Sequence, residues 1–329
     1  MGKGIGRLVK VGIAKDASRG TAAANPVFNL PWEDLAIDEK QSQISLDQAN
    51  GVIEDSAGMV IVKKWAEAKV KAPVGHSHIG LILLAIFGTC TTGDNADADA
   101  SVKDHVFTVN QGAQHQSIGL FIDDPIAGQD YVHPLAMINS FELNYERGAF
   151  IKYSLGLLAK KGTAQAVTPA ANVENFFNSK HVTFKLATNL AGLAAASPIL
   201  IRSLSLAIDQ GIVAEDNLGS DEPADFVNTE FSVEGELEAI WKDEADFKTE
   251  FLAGTSKAMR IDIKNTDVTI GTAANPELVI DMAKVNFQEL TRAIKLGDMV
   301  TQKLKFKAYF STTDSKMITA TLTNITASY

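Results

Sequence analysis

Alternation of apolar and polar positions runs through most of this chain. Over 230–241 it puts Phe231, Val233, Leu237, Ala239 and Trp241 on one face and Glu230, Ser232, Glu234, Glu236 and Glu238 on the other. Over 302–310, Leu304, Phe306, Ala308 and Phe310 alternate with Lys303, Lys305 and Lys307. A two-residue period marks half-buried antiparallel strands, with one face on a core and the other on water or a partner. Further strands are predicted near 7–13, 42–47, 59–71, 105–110, 116–122, 137–146, 149–158, 181–187, 199–208, 258–264, 276–287 and 317–326. Only two segments read as helix. One is 77–87, with Ile79, Leu83 and Phe87 at spacing four; the other is 242–252, with Phe247 and Phe251 at the same spacing. Each runs into a glycine, Gly88 or Gly254, the usual C-terminal stop.

The order of features occurs twice. ISLDQ at 44–48 returns as LAIDQ at 206–210, LAIFGT at 84–89 as FLAGT at 251–255, and SIGLFID at 117–123 as AMRIDI at 258–263. A proline follows in each half (Pro134, Pro276), then a long alternating hairpin turning near Gly148 and Gly297. The offsets are 162 for Asp47 and Asp209, 166 for the helix stops and 149 for the hairpin turns. A repeat of this length points to a duplicated domain rather than a solenoid unit. The small, polar, proline-containing stretch 162–172 has the composition of a linker. The expected architecture is mainly β: two tandem sandwich or barrel-like domains, each with one short flanking helix. They are placed at 1–165 and 178–329, with 166–177 between them. The loops at 49–58 and 211–226 occupy equivalent places in the two halves and are rich in acidic residues and glycine, as contact loops often are.

Composition narrows the class. Hydrophobic content of 46% and charged content of 21% over 329 residues are globular values, enough for about two ordinary cores. The longest apolar run, 79–87, falls short of the ~20 residues a bilayer requires, so no membrane insertion is expected. The N-terminus lacks the apolar core of a secretory signal, and Gly6 stands where myristoylation wants Ser or Thr. The single cysteine, Cys90, excludes an internal disulfide and suits folding in a reducing cytoplasm. A net charge of −10 argues against gripping nucleic acid, which needs Lys and Arg on phosphates. It is compatible with nucleic acid sliding past, where each basic contact would be a place to stick.

Signatures of chemistry are missing. There is no GxSxG elbow, no phosphate-binding GxxxxGK[ST] loop and no HExxH. His76 and His78 lie near His105 and His115 in sequence, but no cysteine or carboxylate stands at zinc-like spacing, so they read as capping or loop residues. The acidic stretch 94–99 is faintly calcium-like. Counted from Asn95, however, position six is Ala100 and position twelve Val106, so it reads as a solvated loop. Cys90 has no base beside it and reads as structural. No cofactor, metal or catalytic residue is expected. The one unusual constellation is the ladder Glu230, Glu234, Glu236 and Glu238. It is either a solvated face paired with Lys303, Lys305 and Lys307 or an acidic stripe lining a channel. The matching strand of the first half presents the mixed set Lys63, Trp65, Glu67, Lys69 and Lys71.

The elements at 234–241, 243–254, 259–263, 285–310 and 317–325 follow in the order strand, short helix with a small-residue turn, Ile/Leu-Asp strand, long hairpin, closing strand. That order resembles the major tail tube proteins of long-tailed bacteriophages. The resemblance implies a small sandwich with a flanking helix, six of which form a ring whose inner sheets join into one barrel, rings stacking into a hollow tail. With two such domains per chain, three chains would close a ring. It further implies a virion protein assembled in the host cytoplasm, with tape-measure, tail terminator and baseplate or tip proteins as partners. Double-stranded DNA would pass through without being tightly held. On this reading the four glutamates are candidate lining residues, and Asp55, Asp216, Asp221 and Glu222 are candidates for ring-to-ring contact. The alternatives are the inner tube of a contractile injection system, or a tandem β-sandwich decoration or adhesion protein.

Overall fold

A computed structural model describes residues 4–54, 58–112, 114–170, 172–241 and 247–329. The chain is mainly β. The first half supplies β1 (Lys10–Lys15), β2 (Phe28–Leu30), β3 (Asp34–Ser45), β4 (Met59–Pro73), helix α1 (His78–Phe87), β5 (Gly88–Asp94), β6 (Lys103–Val109), β7 (Ile118–Asp123), β8 (Tyr131–Glu146), β9 (Lys152–Ala159) and β10 (Thr163–Ala164). The second supplies β11 (Val182–Ala187), β12 (Ile201–Asp209), β13 (Ile212–Glu215), β14 (Asp225–Asn228), β15 (Ser232–Ile240), helix α2 (Lys248–Ala253), β16 (Lys257–Lys264), β17 (Glu277–Ala293), β18 (Thr301–Ala308) and β19 (Ile318–Asn324).

Both halves share one order of pairing. In the first it runs β1, β7, β8, β9, β4, β3. In the second it runs β11, β16, β17, β18, β15, β12. The irregularities match as well. The β8–β9 ladder slips between Ile138 and Ser140, and the β17–β18 ladder between Phe287 and Glu289. The bulged residues Asn139 and Gln288 are thus 149 apart, the offset read from the hairpin turns. A bulge bends its strand, and here it lets β8 and β17 each cross from one layer to the other. One sequence match fails. Leu35 opposes Val70 and Leu204 opposes Leu237, while Val70 and Leu237 both sit across from the matching leucines Leu155 and Leu304. The counterpart of LAIDQ at 206–210 is therefore 37–41, not 44–48.

The halves are interlaced. The C-terminal part of β8 pairs with β12, and β6 pairs with β19. One hydrophobic cluster draws on both sets of strands, from Val11 and Ile13 through Phe141 and Tyr153 to Leu237, Phe306 and Leu322. Alternation explains it: β9 buries Tyr153, Leu155, Leu157 and Ala159, and β18 buries Leu304, Phe306 and Ala308, leaving the intervening residues on the other face.

Helix α1 lies inside this core. All ten of its residues are buried, as its unbroken apolar sequence requires. It stops at Gly88, left-handed, whose N–H reaches the Leu84 carbonyl; α2 stops likewise at Gly254. Gly80 is needed for space, because a Cβ there would fall inside the Tyr329 ring. Of the second predicted helix, 248–253 is helical, and 242–246 lie outside the described residues. The expected loop at 211–226 contains the small β13–β14 hairpin. Among the described residues no helix is long and apolar enough to cross a membrane.

Candidate assembly face and edges

Eight strands form a continuous run, β3, β4, β9, β8, β12, β15, β18, β17, in which β8 and β12 join the halves. One face of this run packs on the core. The other is polar and carries ten carboxylates: Asp34, Asp38, Glu67, Glu142, Glu146, Asp209, Glu234, Glu236, Glu238 and Glu289. Eight lysines share it: Lys40, Lys63, Lys69, Lys71, Lys152, Lys303, Lys305 and Lys307. At the β8–β12 joint this face is hollowed into a concavity of about 400 Å³ lined by Lys69, Lys71, Glu142, Asp209 and Glu234 among others.

The predicted glutamate ladder is in place and largely neutralised. Glu234 meets Lys307 at 2.6 Å, Glu236 meets Lys303 at 3.3 Å, and Glu238 lies 3.9 Å from Lys303 and 4.0 Å from Arg202. Lys305 turns instead to Glu289, at 2.7 Å. Hydrogen bonds to these carboxylates hold the Lys305 and Lys307 ammonium groups above the ordinary lysine range. Glu230 precedes β15, is exposed, and makes no ion pair among the described residues. Sequence reasoning missed Glu142, Glu146 and Asp209, which stand together where the halves meet. The signal was the alternation of FELNYE at 141–146, the same pattern that revealed the ladder.

Three of the four loop candidates are engaged inside the chain. Asp216 pairs with Lys63, Asp221 with Lys64 at 2.6 Å, and Glu222 with Lys161 at 2.6 Å. Asp55 lies outside the described residues. Beside them Arg19 makes a two-pronged contact with Asp225, at 2.7 and 2.8 Å. Burial works against the Asp225 charge, but Arg19 and the Phe226 N–H outweigh it and hold the carboxyl below its usual range. Phe226 is buried against Leu135 and Met137. The connection 210–231 is thus clamped across the first half.

The residues that looked most like ligands have structural partners. Glu174, in the predicted linker, accepts the backbone N–H of Ser77 at 2.9 Å and of His78 at 3.0 Å, capping α1 from a distance. Its oxygens lie 3.5 Å from His76 and 3.2 Å from His78. Burial opposes its charge, yet these bonds pull its pKa far below the carboxylate norm. His105 binds Thr92 and Asn324 at 2.9 and 3.1 Å, and His115 binds the carbonyls of Ile86 and Asn110. The four histidines are therefore not brought together, and no group among the described residues has the makings of a metal site. Asp97, in the calcium-like stretch, spends its carboxylate on the N–H groups of Asp99, Thr272, Ala273 and Ala274, which lower its pKa. Burial raises the pKa of Cys90, leaving it less reactive than a free thiol.

The described residues thus form a mainly β sandwich with one polar sheet face and two strand edges that no other described strand pairs. A family model described as phage tail tube protein matches residues 6–308, and the chain belongs to that family. It is a structural component of a bacteriophage tail and not an enzyme. No curated protein matches the chain.

Proposed function

We propose that the chain is two copies of one tube unit, bounded near 166–177, and that three chains close a ring whose polar sheet face surrounds the passage for DNA. The observation that carries this reading is the eight-stranded run, joined in its middle and, among the described residues, unpaired at both ends, β3 and β17. Unpaired edges invite aggregation unless something completes them, and closure removes them altogether. One chain closing alone would make an eight-stranded barrel, a size that side chains fill. Three chains give about 24 strands. At ~4.8 Å between strands and a tilt near 40°, the backbone walls stand roughly 45–50 Å apart, wide enough for a hydrated duplex. The core covers the other face of the sheet, so only the polar face can meet the bore.

On this reading Glu234, Glu236 and Glu238 line the passage as members of a lysine-matched lattice with a small acidic excess, supplemented by Glu142, Glu146 and Asp209 at each internal joint. DNA then meets a hydrated wall with few unpaired cations to hold its phosphates. Rings stack head to tail, and tape-measure, terminator and tip proteins engage the ends in the virion. A decoration or adhesion role fits less well, because a protein acting singly has no use for two long bare edges. A ring of this kind serves a contractile or a non-contractile tail alike. Electron microscopy of concentrated protein with sedimentation analysis tests the ring: a species of about three times 35.3 kDa, or hollow filaments of threefold rings, is expected. A strictly monomeric chain, or rings of six chains, overturns it.

A further inference from the structure

The joint within the chain is a template for the joint between chains. We propose that the β3–β4 hairpin of a second copy pairs with the bare edge of β17 in the register β12 takes on β8, and that its tip fills the hollow beside Phe231 and Phe310. This rests on the ring reading above and adds the surface, the register and the chemistry of the contact.

The register follows from the shared bulge. Residues 140–146 of β8 correspond to 289–295 at an offset of 149, and 203–209 of β12 correspond to 34–40 at an offset of 169. Within the chain Ser205 stands opposite Asn144, Leu204 opposite Tyr145, Ser203 opposite Glu146 and Asp209 opposite Ser140. Carried over, Ala36 opposes Ala293, Leu35 opposes Ile294, Asp34 opposes Lys295 and Lys40 opposes Glu289. Opposite charges close both ends, small or apolar residues meet at 35–36 and 293–294, and the polar set Asp38, Glu39, Thr291 and Arg292 lies between. Ile294 is 69% exposed in the single chain, and among the described residues no strand pairs with that edge of 288–293 or with the outer edge of β3.

The tip carries an independent observation. The connection 210–231 is held on the first half by Lys64–Asp221 and Lys161–Glu222. At the corresponding positions of the second half, offsets of 167 and 149 put Phe231 and Phe310. Phe310 is 49% exposed at the rim of a hollow of about 570 Å³ shared with Val109, Met317 and Ile318. The stretch that would reach it, 46–54, shows Val52 and Ile53, exposed at 62% and 104%. Both sides have changed together, from ion pairs within the chain to apolar surfaces between chains.

The test uses the full chain with Cys90→Ser, Ala36→Cys and Ala293→Cys, oxidised after assembly. Covalent dimers and trimers on a denaturing gel are expected. Neither single cysteine, nor Ala36→Cys with Thr291→Cys two residues out of register, should link. Rings without coupling of the first pair, or equal coupling of the second, overturn the joint and leave the ring reading standing. If the chain forms no rings, that reading falls first and the joint with it. Ile53→Asp should leave the unfolding midpoint of the monomer unchanged and abolish rings; wild-type yields of rings would remove the tip contact.

Discussion

The two halves have the same strand order but hold it differently. In the first, α1 is wholly buried and its N-terminus is capped by Glu174; in the second, α2 is six residues long with no fully buried residue. In the first, the connection between the paired strands leaves Val52 and Ile53 exposed, as are Ile44 and Met59 at the strand ends; in the second, the same connection is clamped down by Arg19–Asp225. The same strand order is therefore held in one half by a buried, capped helix and in the other by a short helix at the surface.

Glu174→Ala is the strongest way to break this contrast. It strips the cap from α1 and leaves two buried N–H groups and a histidine pair without their acceptor, a loss of about 3 kcal/mol in urea unfolding. On the second helix, Glu250→Ala removes a half-buried pair with Lys257 and should lose no more than about 1 kcal/mol. Equal effects would mean that the two helices are equally anchored. The sign with pH follows: the folded-state pKa of Glu174 is depressed, so its contribution is complete above the ordinary value of ~4.3 and is lost as pH falls below it. Glu174→Gln should flatten the acid limb of the stability curve.

Breaking the clamp comes next. Asp225→Ala leaves Arg19 half-buried without its carboxylate and should lower stability by about 2 kcal/mol. Hydrogen exchange sharpens the outcome: amides of 212–228 should exchange faster while those of β8 and β9 keep their protection. Asp97→Ala is smaller still. The N–H groups of Thr272, Ala273 and Ala274 lose their acceptor, so faster exchange at that turn is expected with little change in global unfolding.

Legibility from sequence followed chemistry and distance. Strands with one clean apolar face, such as β9, β15 and β18, were readable, as was the hairpin offset of 149. The strand β3 was placed at 42–47 rather than Asp34–Ser45, because an edge strand with mostly exposed side chains lacks alternation. β5, GTCTTGD, is small and half-exposed and gave no period at all. The glutamate ladder was visible because its charges alternate within one strand. The Arg19–Asp225 and Glu174–Ser77 contacts were not, since their partners lie 206 and 97 residues apart and neither local pattern asks for the other.

The last expected effect concerns the outer strands of the second half. Asp262 on β16 sits partly buried, one residue pair from the Arg260–Asp281 contact, and Glu277 lies beside it. Burial and the Glu277 charge push its carboxyl up to about 6. A raised acid pKa means that the folded state holds its proton more tightly than the unfolded chain. Stability therefore declines as pH climbs from about 4 to about 6 and is level above that. Asn has nearly the same shape and cannot ionise, so Asp262→Asn should raise the melting temperature by about 2–4 °C at pH 7.5, water access keeping the gain small. At pH 4.5 the gain should shrink toward zero. A gain that is the same at both values would show an ordinary carboxylate here.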